Sequence, residues 1–160
     1  MSRDLGSELP ATLLSLLDGH DLPSRMGKAI LIATIDVEGR PHPALLSYGE
    51  VVALDARRLR LATYRSSGTS ENLRRSGQLT LCLIEAGMAY YVKARAAEHG
   101  APPSSSLARF EATVERVLVD QAREDLEPGA RITRGIEFDA GRSASEVLAD
   151  WAAVLRSLRG

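Results

Sequence analysis

Thr63-Tyr64-Arg65-Ser66-Ser67-Gly68-Thr69-Ser70-Glu71-Asn72-Leu73-Arg74-Arg75 is the stretch on which the fold turns. It follows a strand-like run, Arg58-Leu59-Arg60-Leu61-Ala62, and reads as a short helix over about 69 to 75. One cation, several hydroxyls and a glycine therefore stand where a helix begins. The first N–H groups of a helix have no internal partners and the helix dipole is positive there, so such an end can hold an anion, phosphate above all. Ser67 or Thr69 can equally serve as an ordinary N-cap. The strands around the segment give the choice its weight.

Working outward, Lys28 to Ile35 is short, apolar and rich in β-branched residues, as a buried strand would be. Asp36-Val37-Glu38-Gly39-Arg40 reads as a hairpin turn, and Pro41-His42-Pro43 resumes an extended chain. Ala44 to Leu54 reads as one long, bent second strand with Gly49 as a bulge. A third strand ends at Thr63, and Ser76-Gly77 stops the helix that follows. Leu79 to Ile84 is a fourth strand, Met88 to Glu98 a fifth, and residues 99–106 a Gly/Pro/Ser loop. Leu107 to Val119 is a sixth strand, with helix as its competitor. Its apolar phase slips between Val114 and Val117, which predicts a bulge around Glu115-Arg116. Gln121 to Glu127 reads as a helical turn and Ile132 to Phe138 as a short strand.

Two amphipathic helices frame this core. The first spans 7–18, capped by Ser7, with Leu9, Leu13, Leu16 and Leu17 on one face and Gly19 as its stop. The last spans 143–159, opened by a Ser143/Glu146 capping box, with Val147, Leu148, Trp151, Val154, Leu155 and Leu158 on one face. Trp151 is expected to anchor that helix in the core. The expected architecture is one domain over 1–160, mainly β with flanking helices. Sequential antiparallel strands over about 28–138 would curl into a barrel that hides its edges.

Composition narrows the function. Lys and Arg number 20 against 21 Asp and Glu, for a net charge of −1, so electrostatics give no case for nucleic acid or an anionic membrane. An apolar fraction of 44% suits a globular chain. No apolar run approaches the ~20 residues of a membrane span, and no leader pattern opens the chain; a cytoplasmic protein is expected. Cys82 is the only cysteine and sits in an apolar run, so an inert, buried thiol is expected. His20, His42 and His99 are scattered, and no metal site is expected.

The order and wording of three segments resemble the flavin-binding split-barrel family named for pyridoxamine 5′-phosphate oxidase. They are Ala33-Thr34-Ile35-Asp36-Val37-Glu38-Gly39-Arg40-Pro41-His42-Pro43, then Ala62 to Leu73, then Tyr90-Tyr91-Val92-Lys93-Ala94-Arg95-Ala96. The resemblance runs from about Lys28 to Ala97. It implies a six-stranded antiparallel split barrel forming a homodimer, with flavin mononucleotide (FMN) in clefts between subunits. It places the phosphate near Arg65, Ser66, Ser67 and Thr69, with Asn72 close by, and counts Thr63 and Tyr64 among the cofactor-binding residues. His42, Pro43, Ala44, Leu45 and Leu46 would line the flavin ring, and Lys93 or Arg95 would approach it from the fifth strand. The implied activity is flavin-dependent oxidoreduction of a small organic substrate, with no catalytic side chain assigned.

The residues themselves agree in kind. Arg65 offers a forked pair of donors to phosphate oxygens. On the fifth strand Tyr91, Lys93 and Arg95 share one face, and a cation there would stabilise a reduced, anionic flavin ring. The same two cations also suit a solvent face, and His42 between two prolines suits the start of an edge strand. The chain departs from the family at its end, Asp150 to Gly160, where the arginine-rich substrate segment of the vitamin B6 oxidases is missing, and at Ala94, where a glycine is usual. Vitamin B6 oxidation is therefore not expected. The rival readings are an F420-dependent reductase of the same fold, a non-catalytic module that captures flavin or heme, and a structural dimer with an empty pocket.

Overall fold

The structure, a computed structural model, describes residues 2–160. Its centre is a curled antiparallel sheet of six long strands and three short ones. The long strands are β2 (Lys28–Ile35), β3 (Pro41–Ser47), β5 (Arg58–Tyr64), β6 (Gln78–Glu85), β7 (Met88–Glu98) and β8 (Leu107–Asp120). The short ones are β1 (Ser2–Gly6), β4 (Val51–Ala53) and β9 (Ile136–Glu137). Strand order along the sheet is β3-β2-β6-β7-β8-β5-β4. β1 joins the second half of β8, and β9 joins the start of β2.

The second strand read from the sequence divides in two. Ala44 to Leu54 is not one bent strand with a bulge at Gly49; it breaks at Tyr48-Gly49-Glu50 into β3 and β4. β3 pairs only with β2 and β4 only with β5, at opposite ends of the strand order. Three residues join those ends, so the sheet must curl until its edges stand side by side. No ladder closes the gap between them, which makes the barrel split. Glu50 staples the corner, because Ser47 donates to its Oε2 through both N–H (2.6 Å) and hydroxyl (2.9 Å). Tyr48 is buried there and donates to Glu85 Oε1 at 3.0 Å, with the Arg25 guanidinium 5.9 Å from its ring centre. Burial first, then the Glu85 carboxylate, pushes the Tyr48 phenol up, so it stays a donor.

The barrel interior takes alternate residues of each strand: Ile30 and Ile32, Leu59 and Leu61, Leu81 and Leu83, Tyr90 and Val92, Phe110 and Ala112. The apolar slip in β8 is the predicted bulge. Lys93 pairs with Arg116 and Ala94 with Val114, which leaves Glu115 as the extra residue. Leu13 of α1 (Ala11–Leu16) joins the core, with Leu9 just before the helix and Leu17 at its C-cap. That helix is shorter than the 7–18 of the sequence reading: its N-cap is Pro10, and Ser7 makes no cap. A single turn, α2 (Leu22–Arg25), follows. Gln121 to Glu127 forms hydrogen-bonded turns rather than a helix. The final helix, α4 (Ala144–Arg159), has both halves of its capping box. Trp151 lies on the β3–β4 corner, where a Cβ added to Gly49 would stand 2.1 Å from Trp151 Cγ. Gly49 is therefore the seat of the tryptophan. No helix among the described residues is long and apolar enough to cross a membrane.

Candidate functional site

The split between β3 and β5 carries the site. The helix after β5, α3 (Gly68–Ser76), begins beside the start of β3: a Cβ on Gly68 would be 3.4 Å from both Cε1 and Nε2 of His42. His42 pairs with buried Thr34, so its side chain shares the inner face with Ala44 and Leu46, while Pro43 and Leu45 share the outer face with Ala33 and Leu31. The two expected segments, 42–46 and 63–69, thus come together although β3 and β5 sit far apart in the strand order.

The cap at the α3 start is Ser67, whose hydroxyl accepts from the Ser70 N–H at 3.2 Å. Among the described residues, no group of the chain pairs with the N–H of Gly68 or Thr69, or with the hydroxyls of Ser66 or Thr69. Beneath them a buried polar cluster fixes the helix to β5 and β2. Thr63 and Ser70 share a hydrogen bond at 2.6 Å, Ser70 donates to the Tyr64 carbonyl at 2.7 Å, and Asn72 donates to the Thr34 hydroxyl at 3.0 Å.

Two expected anion ligands are committed elsewhere. Arg65 turns its fork away from the helix end: Nε donates to the Ser105 carbonyl (2.8 Å), and one terminal nitrogen donates to those of Pro102 (2.9 Å) and Leu107 (3.2 Å). A guanidinium suits three carbonyls as well as it suits a phosphate, and here it fastens the 99–106 loop. Asn72 is buried at 5% exposure, and its oxygen accepts from Arg75 at 3.0 Å. It is a strut of the helix. Asn72→Ala leaves the Thr34 hydroxyl without its donor in the interior, and about 2 kcal/mol of stability should be lost in a urea melt. Arg74 is held bidentate by Glu98, and that hydrogen bonding keeps the Glu98 carboxyl below its usual range.

Lys93 and Arg95 are not gathered with these groups within one chain. They point from the outer face of β7, beside a groove of about 380 Å³ that also touches Ala33, Pro41 and Glu115. Arg95 donates to Glu115 at 3.1 Å.

A larger cleft of about 790 Å³ opens between the end of β3, the end of β5 and α4, a size ordinary for small-molecule sites. Leu45, Leu46 and Tyr64 line it, as does Trp151, which is 7% exposed. Val147, Asp150 and Val154 of α4 and Arg142 just before it complete one wall. The sequence reading did not place these α4 residues at the site. Asp150 accepts from Arg142 at 2.6 Å.

The family model described as pyridoxamine 5′-phosphate oxidase matches residues 25–147. YclD of Bacillus subtilis, an uncharacterized protein, is 32% identical over 147 residues, covering 92% of this chain and 93% of that one. A crystal structure from Lactobacillus delbrueckii, named for pyridoxamine 5′-phosphate oxidase, superposes with a TM-score of 0.57 at 18% identity, covering 72% of this chain and 98% of that chain. A conserved hypothetical protein of Mycobacterium tuberculosis gives 0.55 at 12% identity, covering 88% and 99%. The solved structures show the fold alone, whereas the family match takes in every strand from β2 to β9 and the start of α4. On that evidence the chain belongs to the pyridoxamine 5′-phosphate oxidase family and is built on its split barrel.

Proposed function

We propose that this chain binds FMN at the split, as a homodimer, and uses it to oxidise or reduce a small organic molecule. The observation that carries the reading is the junction of His42 with the α3 start, on the same strand β3 whose later residues Leu45 and Leu46 line the cleft. The residues fit the group in three respects. Gly68 leaves room for an anion, and the unpaired N–H groups of Gly68 and Thr69 point a positive dipole end at it. The hydroxyls of Ser66 and Thr69 are free to donate, and His42 stands beside them. The edge of β3 away from β2 has no strand partner, so its backbone N–H and C=O groups can meet the polar edge of a flavin ring.

FMN, when bound, supplies the hydride or electron chemistry. The chain's own work is to orient and to shield. Leu45, Leu46 and Trp151 exclude water from the ring's surroundings. Arg65 acts through the 99–106 loop, which brings Ser106 and Leu107 to the cleft wall. The deazaflavin F420, with its longer acidic tail, finds less here, because the cleft wall carries Glu50, Asp139 and Asp150.

The dimer reading has its own support. Register aligns Leu45, Leu31, Cys82, Tyr91 and Leu118 in one row across the outer face of β3, β2, β6, β7 and β8. Leu45 in that row is 56% exposed. An apolar row spanning five strands is a surface for a second copy, and such packing would carry Lys93 toward the other subunit's cleft. Tyr91→Glu places a charge at its middle and should convert the dimer to monomer in sedimentation. Cys82, the neighbour of Tyr91 in the register, should then react faster with a thiol reagent. A Tyr91→Glu protein that sediments as the wild type would remove this face from the account.

The direct test of the cofactor is the visible spectrum of the purified protein, followed by titration with FMN, F420 and heme. Saturable FMN binding agrees with the reading. Binding of F420 alone keeps the fold and changes the chemistry, and a heme band alone points to a capture module.

A further inference from the structure

Beside the cleft lies a smaller cavity of about 210 Å³, between α4, β5 and the 99–106 loop. Leu107, Ala153 and Val154 line both spaces, so they form the wall between them. The apolar lining of the smaller one includes Ala62 and Leu158, both buried in a small cluster apart from the barrel core. Its polar lining is Ser105, Arg109 and Ser157. Arg109 is half-buried, and its terminal nitrogens donate to the carbonyls of Ser157, at 2.6 Å, and Gly100. Its Nε is enclosed, and no group of the described chain accepts from it. A buried donor without an acceptor is costly, and a charged one more so. The two hydroxyls each accept an N–H, Ser105 from Leu107 at 3.1 Å and Ser157 from Arg109 at 3.2 Å, and each keeps its own hydrogen to give.

The charge at this end of α4 is positive. Arg60 donates to the Leu158 carbonyl at 2.8 Å, Arg109 serves that of Ser157, and Arg156 and Arg159 stand in the last turn. Among the described residues Glu111 is the one side-chain carboxylate that pairs with any of the four, meeting Arg60 at 2.9 Å. That leaves more positive charge than a helix C-terminus, equivalent to about half a negative charge, can balance. We infer that this cavity is a second binding site, separate from the split, for a small carboxylate with a short apolar tail. The carboxylate takes the Arg109 Nε–H and the serine hydroxyls as a charge-assisted acceptor. The tail lies on Ala62, Val154 and Leu158. A molecule seated there packs the 99–106 loop against α4, and loop and helix are both walls of the cleft. It is thus placed to alter the cleft without entering it.

Hexanoate and 1-hexanol, which have the same carbon count, test it by calorimetry on the purified protein. Hexanoate should bind with a dissociation constant of about a millimolar or below, roughly fivefold or more tighter than hexanol, and the margin should shrink as salt is added. Arg109→Gln should remove the margin. Ser157→Leu fills the cavity from the exposed face of α4, and should abolish hexanoate binding with the melting temperature held. Tyr64→Ala alters the cleft alone and should leave hexanoate affinity within about twofold of the wild type. Equal affinity for the two probes, no saturable hexanoate binding up to about ten millimolar, or a loss in Tyr64→Ala rather than in Ser157→Leu overturns the inference. None of these outcomes bears on FMN, whose binding is read separately from its visible spectrum.

Discussion

Gly49→Val should cost the protein roughly 3 kcal/mol and lower its melting temperature by about 6–12 °C. The expectation follows from one contact. A Cβ at position 49 falls 2.1 Å from Trp151 Cγ and 2.6 Å from Trp151 Cβ, distances that no rotamer change of the valine can relieve. Either the β3–β4 corner moves or α4 lifts. Both weaken the same structure, because α4 packs on β4 and β5, with Leu155 and Leu158 buried against Val52 and Ala62. Calorimetry with tryptophan emission separates the two. A red-shifted Trp151 means that the helix has lifted, and an unshifted one with the same loss of stability means that the corner has moved. Trp151→Ala made together with Gly49→Val should add much less than the sum of the two single losses. A Gly49→Val protein as stable as the wild type would show that the corner is not packed as described.

Gly68→Asp should abolish FMN binding, by about a hundredfold or more, while leaving the fold intact. An aspartate in the first turn of a helix is favourable for the helix itself, since its charge meets the positive dipole end. That same charge would occupy the place proposed for the phosphate, and its Cβ would begin 3.4 Å from the His42 ring. Stability should therefore hold or rise while cofactor affinity collapses. Gly68→Ala, which adds only a methyl at ordinary contact distance, should bind FMN within a few-fold of the wild type. If Gly68→Asp binds FMN as well as the wild type does, the anion seat lies elsewhere.

The sequence made the six long strands legible because each has a buried inner face, and alternation is the pattern that burial imposes. The bulge at Glu115 was legible for the same reason, since a one-residue slip moves every apolar side chain to the wrong face. β1 was not legible: of Ser2, Arg3, Asp4, Leu5 and Gly6 only Leu5 is even partly buried, and the strand exists because β8 offers it a free edge. The division of 44–54 was hidden by a nearly continuous apolar run, in which Gly49 reads as a bulge when it is the seat of a side chain a hundred residues later. At the site, the meeting of His42 with Gly68 followed from the family resemblance and not from local pattern. The hydrogen bonds of Arg65 were not legible, because its partner carbonyls at 102, 105 and 107 lie in a loop and the first residue of β8, whose positions only the tertiary fold decides. The α4 wall of the cleft was missed because an amphipathic helix shows which face is buried, not which part of that face borders a cavity.

The account stands or falls on an anion held at the α3 start, and the most direct measurement is a comparison of FMN with riboflavin, which differ only in the phosphate. Calorimetric titration of the purified protein should give FMN an affinity at least about thirtyfold above that of riboflavin, as a helix end and charge-assisted hydrogen bonds would confer. That margin should vanish in Gly68→Asp. Equal affinities for FMN and riboflavin in the wild type would contradict the assignment of the α3 start as the phosphate site.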